Sequence, residues 1–264
     1  MSVLTSYASA SARDSAAPAA SNTGLCIFRS DTKAIEVSDG TAYLAYNNDG
    51  ISLGPITNTY SVDFDGTDDH VAISSFNFSS NKTLSYWVKF DAINSAGVYI
   101  FGTGTNYYTY LTNDGQTVYI YDGTATALTL GATHAITAGV WTHIAIVGSG
   151  GTATLYKDGV SRATGTDRTP TGVTRFAGDS VGGTRFVNGL MDEVAYWDSA
   201  LSATQISQIY NNGVPNDISS FSPVNWWRMG DNDGGTGITI TDQGSAGNDG
   251  TLTNGPTFST TVPS

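Results

Sequence analysis

The chain is poor in cysteine, in charge and in basic residues. Its 264 residues include one cysteine, Cys26, so no disulfide can form within the chain. The fold must rest on packing, hydrogen bonds and any metal it holds, and the lack of disulfides points to a bacterial or viral source. Charged residues make up 13% and Lys+Arg number 11 against 23 Asp+Glu, giving a net charge of −12. A nucleic-acid binder needs a basic face to displace counterions, and so sparse a set of cations supplies none. The same balance repels anionic membranes. No apolar run reaches transmembrane length, so membrane insertion is not expected. Met1 to Ala20 lacks the basic n-region and continuous apolar h-region of a secretory signal.

What is present is turn and strand material. Thirty-one glycines, 14 tyrosines and 39% hydrophobic residues suit short strands joined by many turns and do not suit disorder. Residues 1–23 are Ala/Ser-rich without a hydrophobic period and read as a flexible arm. Residues 24–50 read as a β meander, with strands at Leu25–Phe28, Ala34–Val37 and Ala42–Tyr46 and a tight turn at Asp39-Gly40. It is too small to hold a core alone, so it is expected to serve attachment or oligomerisation. Residues 51–264 read as one large β domain, with strands at Tyr60–Phe64, His70–Ile73, Thr83–Phe90, Val98–Phe101, Tyr107–Leu111, Val118–Tyr121, Trp141–Val147 and Ala153–Tyr156. In the strand Gly189–Trp197, alternation places Val194 and Tyr196 on one face and Glu193, Ala195 and Trp197 on the other. Ser202 is positioned to cap a short helix near Ala203–Asn211 whose apolar positions are Ile206 and Ile209.

Five motifs stand in order: SVDFDGTDDHVAI, LSYWVKF, WTHIAIV, ATLYKDGV and FVNGLMDEVAYWDSALSATQISQIY. This series resembles the laminin-G-like modules of the concanavalin A-like lectin/glucanase superfamily. The resemblance implies an all-β, two-sheet antiparallel jelly-roll sandwich, here with one short helix and an N-terminal β meander. A segment that precedes the first strand in many such modules comes last here, as Asn225–Pro256, in a circularly permuted order. That arrangement, and the pattern FRSDTKAIEVSDGTAYL, resemble phage virion proteins. The resemblance implies a virion appendage or decoration protein, located on the particle, bound to other virion proteins through its N-terminal region, homo-oligomeric with a trimer favoured, and displaying the jelly roll toward host glycans. A bacterial secreted or surface carbohydrate-binding module is the alternative.

No enzyme is expected. Glucanases of the superfamily set carboxylates on alternate positions of one strand, as E-x-D-x-x-E. Here only Asp192-Glu193 is found, and strict alternation would send these neighbours to opposite faces. His143 reads as a hydrogen-bonded core residue. The resemblance makes Asp192 and Asp242 the candidate ligands of a structural Ca²⁺, the alternative being that both only cap turns. Asp65, Asp68 and Asp69 form a second acidic loop, read as a solvated turn. For carbohydrate the candidates are Tyr107, Tyr108 and Tyr110, with Tyr119 and Tyr121 nearby. Flat aromatic faces meet the C–H groups of a pyranose, although tyrosines also commonly fill space between sheets or subunits. Arg168, Arg175 and Arg185 read as loop residues able to contact glycans or neighbouring subunits.

Overall fold

The computed structural model describes residues 56–102, 107–178 and 183–264, together with four strands nearer the start of the chain. Those four are β1 (Thr5–Tyr7), β2 (Cys26–Arg29), β3 (Ala34–Ser38) and β4 (Tyr43–Tyr46). They form one sheet in the order β1-β2-β3-β4, with β2, β3 and β4 a meander and β1 added parallel to β2. The stretch expected as a flexible arm therefore contributes a strand. Contacts divide the chain into a unit of residues 1–56 and 216–221 and a second of residues 57–215 and 222–264.

The second unit is a sandwich of two antiparallel sheets. Its strands are β5 (Ser61–Asp65), β6 (His70–Phe76), β7 (Lys82–Phe90), β8 (Val98–Gly102), β9 (Tyr107–Leu111), β10 (Thr117–Tyr121), β11 (Ala125–Thr129), β12 (Thr142–Ser149), β13 (Thr152–Lys157), β14 (Val160–Thr166), β15 (Val173–Phe176), β16 (Asn188–Trp197), β17 (Asn225–Trp227), β18 (Thr239–Ile240), β19 (Gly250–Thr253) and β20 (Thr257–Ser259). One sheet runs β11-β10-β9-β8-β15-β6-β19-β18; the other runs β14-β13-β12-β7-β16-β5-β20, with β17 paired to β16. The segment Asn225–Pro256 supplies β17 to one sheet and β18 and β19 to the other.

Alternation builds the core. Leu84, Tyr86 and Val88 of β7, Ile144 and Ile146 of β12, and Val118 and Ile120 of β10 face between the sheets. Trp87 faces the other way, 5.1 Å from the His143 ring and stacked on Tyr210 at 5.7 Å. Tyr210 ends the helix α1 (Ala203–Tyr210), the one α-helix of the described residues. Ser202 and Gln205 form a reciprocal capping box at its start, and Ile206 and Ile209 are its buried positions, as their spacing requires. The Asp158-Gly159 turn has φ of 51° and 73°, the left-handed pair of a tight β hairpin.

One expectation fails in β16. Glu193 has φ 45°, and the pairing with β7 slips between Asp192 and Ala195. Asp192 lies opposite Trp87 and Ala195 opposite Ser85, so two residues of β16 share one position of β7. Met191, Val194 and Tyr196 enter the core. Asp192 and Glu193 both turn to the outer side, where Glu193 meets Trp226 and Arg228. Period-two alternation had separated these two carboxylates, and the bulge reunites them.

Candidate functional site

The outer face of the sheet that begins with β11 carries an aromatic row. Val98, Leu111, Val118 and Ile120 point into the core, so their neighbours Tyr99, Tyr110 and Tyr119 point out. Tyr119 pairs across to Tyr110, and Tyr110 to Tyr99. The ring centroids are 6.0 Å apart for Tyr110–Tyr119 and 5.5 Å for Tyr99–Tyr110, the latter edge to face. All three side chains are half-buried. Tyr110 is seated on Gly97, where φ is 81° and any Cβ would collide with its ring, and its hydroxyl donates to Ala96 O at 3.0 Å. Of the three tyrosines expected from sequence, Tyr110 is placed in this row. The side chains of Tyr107 and Tyr108 lie outside the described residues, although both belong to β9.

Tyr99 joins the row without a local sequence signal, and Arg185, read from sequence as a loop residue able to contact glycans, stands beside it. The Arg185 guanidinium lies 5.0 Å from the Tyr99 ring centre and 5.5 Å from that of Tyr110. Its Nε donates to Ala96 O at 3.0 Å and its Nη1 to the Tyr99 hydroxyl at 2.5 Å. The Arg185 carbonyl accepts from Tyr99 N at 2.9 Å, which fixes the arginine beside β8. Arg175, read as a loop residue, stands in β15 of the same sheet. Arg168 is held at the sheet's edge by Thr126 Oγ1, 2.8 Å, and Asp122, 3.9 Å.

The Asp192–Glu193 pair on the opposite sheet is enclosed. Asp192 is 0% and Glu193 5% exposed. Asn58 donates to Asp192 Oδ2 at 2.9 Å and Glu193 N to Asp192 Oδ1 at 2.8 Å. The Trp226 indole donates to Glu193 Oε2 at 2.6 Å, and Arg228 Nε to Oε1 at 3.1 Å. Arg228 also holds Asp231 at 3.0 Å and Thr57 O at 2.7 Å. Two carboxylates, Glu193 and Asp231, thus share one guanidinium. Burial, then the charge of Glu193, pushes the Asp192 carboxyl well up. Burial pushes Glu193 to about 7 against the pull of Arg228 and Trp226. Asp231 is raised by burial too.

Asp242 is joined to this pair through Trp226, whose indole donates to Glu193 and whose backbone N donates to Asp242. Its Oδ1 accepts from Trp226 N (2.7 Å) and Gly244 N (2.8 Å), its Oδ2 from Asn225 Nδ2 (2.6 Å) and Asn248 N (2.8 Å). Four donors organise this turn through one carboxylate. Among the described residues, the acidic group whose ligand atoms all fall within 4.8 Å of one another is Asp65, Asp68 and Asp69. It borders a cleft of about 180 Å³ lined by Asp63, Asp65, Asp69, Asn254, Gly255 and Thr257. Burial raises the carboxyls of Asp63 and Asp69 there. Ca²⁺ takes six to eight oxygens, so three carboxylates leave most of such a shell to be filled.

His143 is fully buried, with Nε2 2.8 Å from Ser85 Oγ and its backbone N donating to Asp158 Oδ1 at 3.0 Å. Burial lowers its pKa to about 4. This histidine and the Glu193 carboxyl impose opposite pH dependences. His143 stabilises the fold fully above pH 6.5, and that contribution, about 3 kcal/mol, is lost as pH falls toward 4. Glu193, raised from 4.5 to about 7, favours the fold below pH 4.5, and its contribution is lost as pH rises through 7. Thermal melts from pH 4 to 8 test this. Glu193→Gln should gain stability at pH 8 relative to pH 5 when compared with wild type. His143→Gln should lose the weakening below pH 6.5. Identical profile shapes for E193Q and wild type would refute the assignment.

The family model Laminin_G_3, described as the concanavalin A-like lectin/glucanases superfamily, matches residues 65–207. A comparison with curated protein sequences gave no match. Among solved structures, a protein from Bacteroides ovatus, provisionally described as carbohydrate binding, aligns at 21% identity and TM-score 0.58, over 79% of this chain and 62% of that protein. This chain thus spans about three-fifths of that relative. A heptameric SAP-like pentraxin from Limulus polyphemus aligns at 19% identity and TM-score 0.46, over 58% of this chain and 82% of the pentraxin. Domain 4 of the extracellular arabinanase AbnA from Geobacillus stearothermophilus, solved with arabinotriose, aligns at 18% identity and TM-score 0.47, over 61% and 81%.

Proposed function

Because the chain belongs to the concanavalin A-like lectin/glucanases superfamily, we propose that it is a carbohydrate-binding module whose platform is the Tyr99–Tyr110–Tyr119 row. The observation that carries this reading is the cross-strand alignment of three half-buried tyrosines on an outer sheet face. A packed interior has no need of such a row, since the core on the other side of the same strands is already filled by Val98, Leu111, Val118 and Ile120. Aromatic faces offer sugar rings broad apolar contact. In this reading the N-terminal meander fixes the module to a larger body, a phage particle in the first instance and a bacterial surface in the second, and the sandwich presents the platform outward.

A glycan array followed by calorimetry tests the binding. Wild-type protein should select a small set of glycans, and Tyr119→Ala should weaken the best of them about tenfold or more, equivalent to about 1.4 kcal/mol. Unchanged affinity in Tyr119→Ala and Tyr110→Ala variants that melt like wild type would remove the platform. Mass spectrometry of purified particles tests the setting. A regular multicopy presence supports the virion appendage, and recovery from a cell-wall fraction instead supports the bacterial module.

A further inference from the structure

The charge around the tyrosine row runs against the charge of the chain. The molecule carries 23 Asp+Glu and a net charge of −12. Yet none of the eight strands β6, β8, β9, β10, β11, β15, β18 and β19 contains an aspartate or a glutamate. The opposite sheet holds charges of both signs, Asp63 and Asp65 in β5 and Asp192 and Glu193 in β16 beside Lys82 and Lys89 in β7, Lys157 in β13 and Arg162 in β14. The acid-free sheet bears Arg175, and Arg185 is hydrogen-bonded to its strand β8.

Arg185 is held by neutral acceptors. Lys82, Lys157, Arg168 and Arg228 each face a carboxylate. The acceptors of Arg185 are instead a carbonyl and a tyrosine hydroxyl, both neutral. Its guanidinium is therefore oriented by two hydrogen bonds and two aromatic rings, while its charge stays uncompensated by the described residues. A guanidinium has five donors in a planar fork that matches a carboxylate. Its Nε and Nη1 are committed to Ala96 and Tyr99, and Nη2 faces no acceptor among the described residues. A cation fixed but not neutralised by the described residues, set in an aromatic platform whose strands carry no acid, is arranged to receive an anion.

We propose that the platform takes acidic glycans, with Arg185 binding the carboxylate of a uronic or sialic acid residue while the tyrosines contact sugar rings. This inference rests on the carbohydrate-binding reading above and adds the ligand class to it. Arg185 acts here as a specificity residue: it adds affinity for the charged sugar, whereas contact with neutral sugar falls to the tyrosines.

The test uses the full chain and two pairs of ligands that differ in the carboxylate. An oligogalacturonate is compared with its carboxyl-reduced product, and sialyllactose with lactose, by calorimetry. The expected result is binding at least tenfold tighter to the acidic member of one pair; the pair that responds tells uronic from sialic acid. Arg185→Gln should abolish that preference, and Arg185→Lys should retain part of it. Equal affinity for both members of each pair overturns the acidic-glycan proposal while leaving the platform intact. Absence of binding to every glycan, charged or neutral, overturns the platform and the proposal together. The ligand-side comparison decides the matter even if Arg185→Gln fails to fold.

Discussion

Replacing Asp242 by alanine is expected to destabilise the sandwich by about 4 kcal/mol. Hydrogen bonds to a charged group are worth about 1.5–3 kcal/mol each, and a buried donor left without an acceptor adds its desolvation cost. Asp242 receives four such bonds, three of them from backbone N–H groups. The loss would spread beyond the turn. Trp226 N is one of the donors, and the Trp226 side chain donates to Glu193. The next residue, Trp227, is fully buried, pairs with Val194 and lies 5.2 Å from Phe176 of the other sheet. The carboxylate of Asp242 thus holds the backbone that sets two tryptophans. Asp242→Asn keeps one acceptor but turns an NH₂ group toward donors, so it should fall between wild type and alanine. Urea unfolding measures both, and a loss below about 1 kcal/mol for D242A would show that water can replace the carboxylate.

Asp167→Ala should cost a similar amount for a different reason. Lys82 is 0% and Asp167 4% exposed at their side chains, with Nζ and Oδ2 2.5 Å apart. Burial lowers the Lys82 pKa, and the Asp167 contact opposes that shift. Removing the carboxylate leaves an ammonium inside the protein, which costs about 3–5 kcal/mol. The pair itself stabilises far less, because both ions lose their hydration to form it. The double variant Lys82→Met/Asp167→Leu should therefore recover most of the stability lost by Asp167→Ala. A double variant as unstable as the single one would show that the pair contributes net stability and not merely mutual neutralisation.

Features governed by neighbours in sequence were legible before the structure. Strands β5 to β10, β12, β13 and β16 followed from alternation and turn residues, whereas β11, β14, β15 and β17 did not. The helix followed from Ser202 and from the spacing of Ile206 and Ile209, because capping is a contact over three residues. His143 followed from its place in an apolar strand. The bulge at Glu193 did not, since alternation assumes every residue advances the strand by one position. A single left-handed residue breaks that assumption without any glycine to announce it. The site was half legible for a related reason. Tyr110 stood in a tyrosine-rich segment, but Tyr99 and Arg185 reach it only through strand pairing and through a loop 75 or more residues further on. The short strands β18 to β20 lie in a glycine-rich stretch whose pairing partners are remote in sequence, so their own residues give little sign of them.

The fixing of Arg185 has a kinetic meaning. A guanidinium held between two rings with neutral acceptors gives one face a local positive potential on a body whose net charge is −12. Near a polyanionic coat such a module would be held off in other orientations and admitted most readily with that face forward. Productive encounters would then exceed those expected of a randomly tumbling body. The bias fades beyond a Debye length of about 8 Å at physiological ionic strength, so it would act in the last molecular diameter of approach, selecting orientation where chance would otherwise decide it.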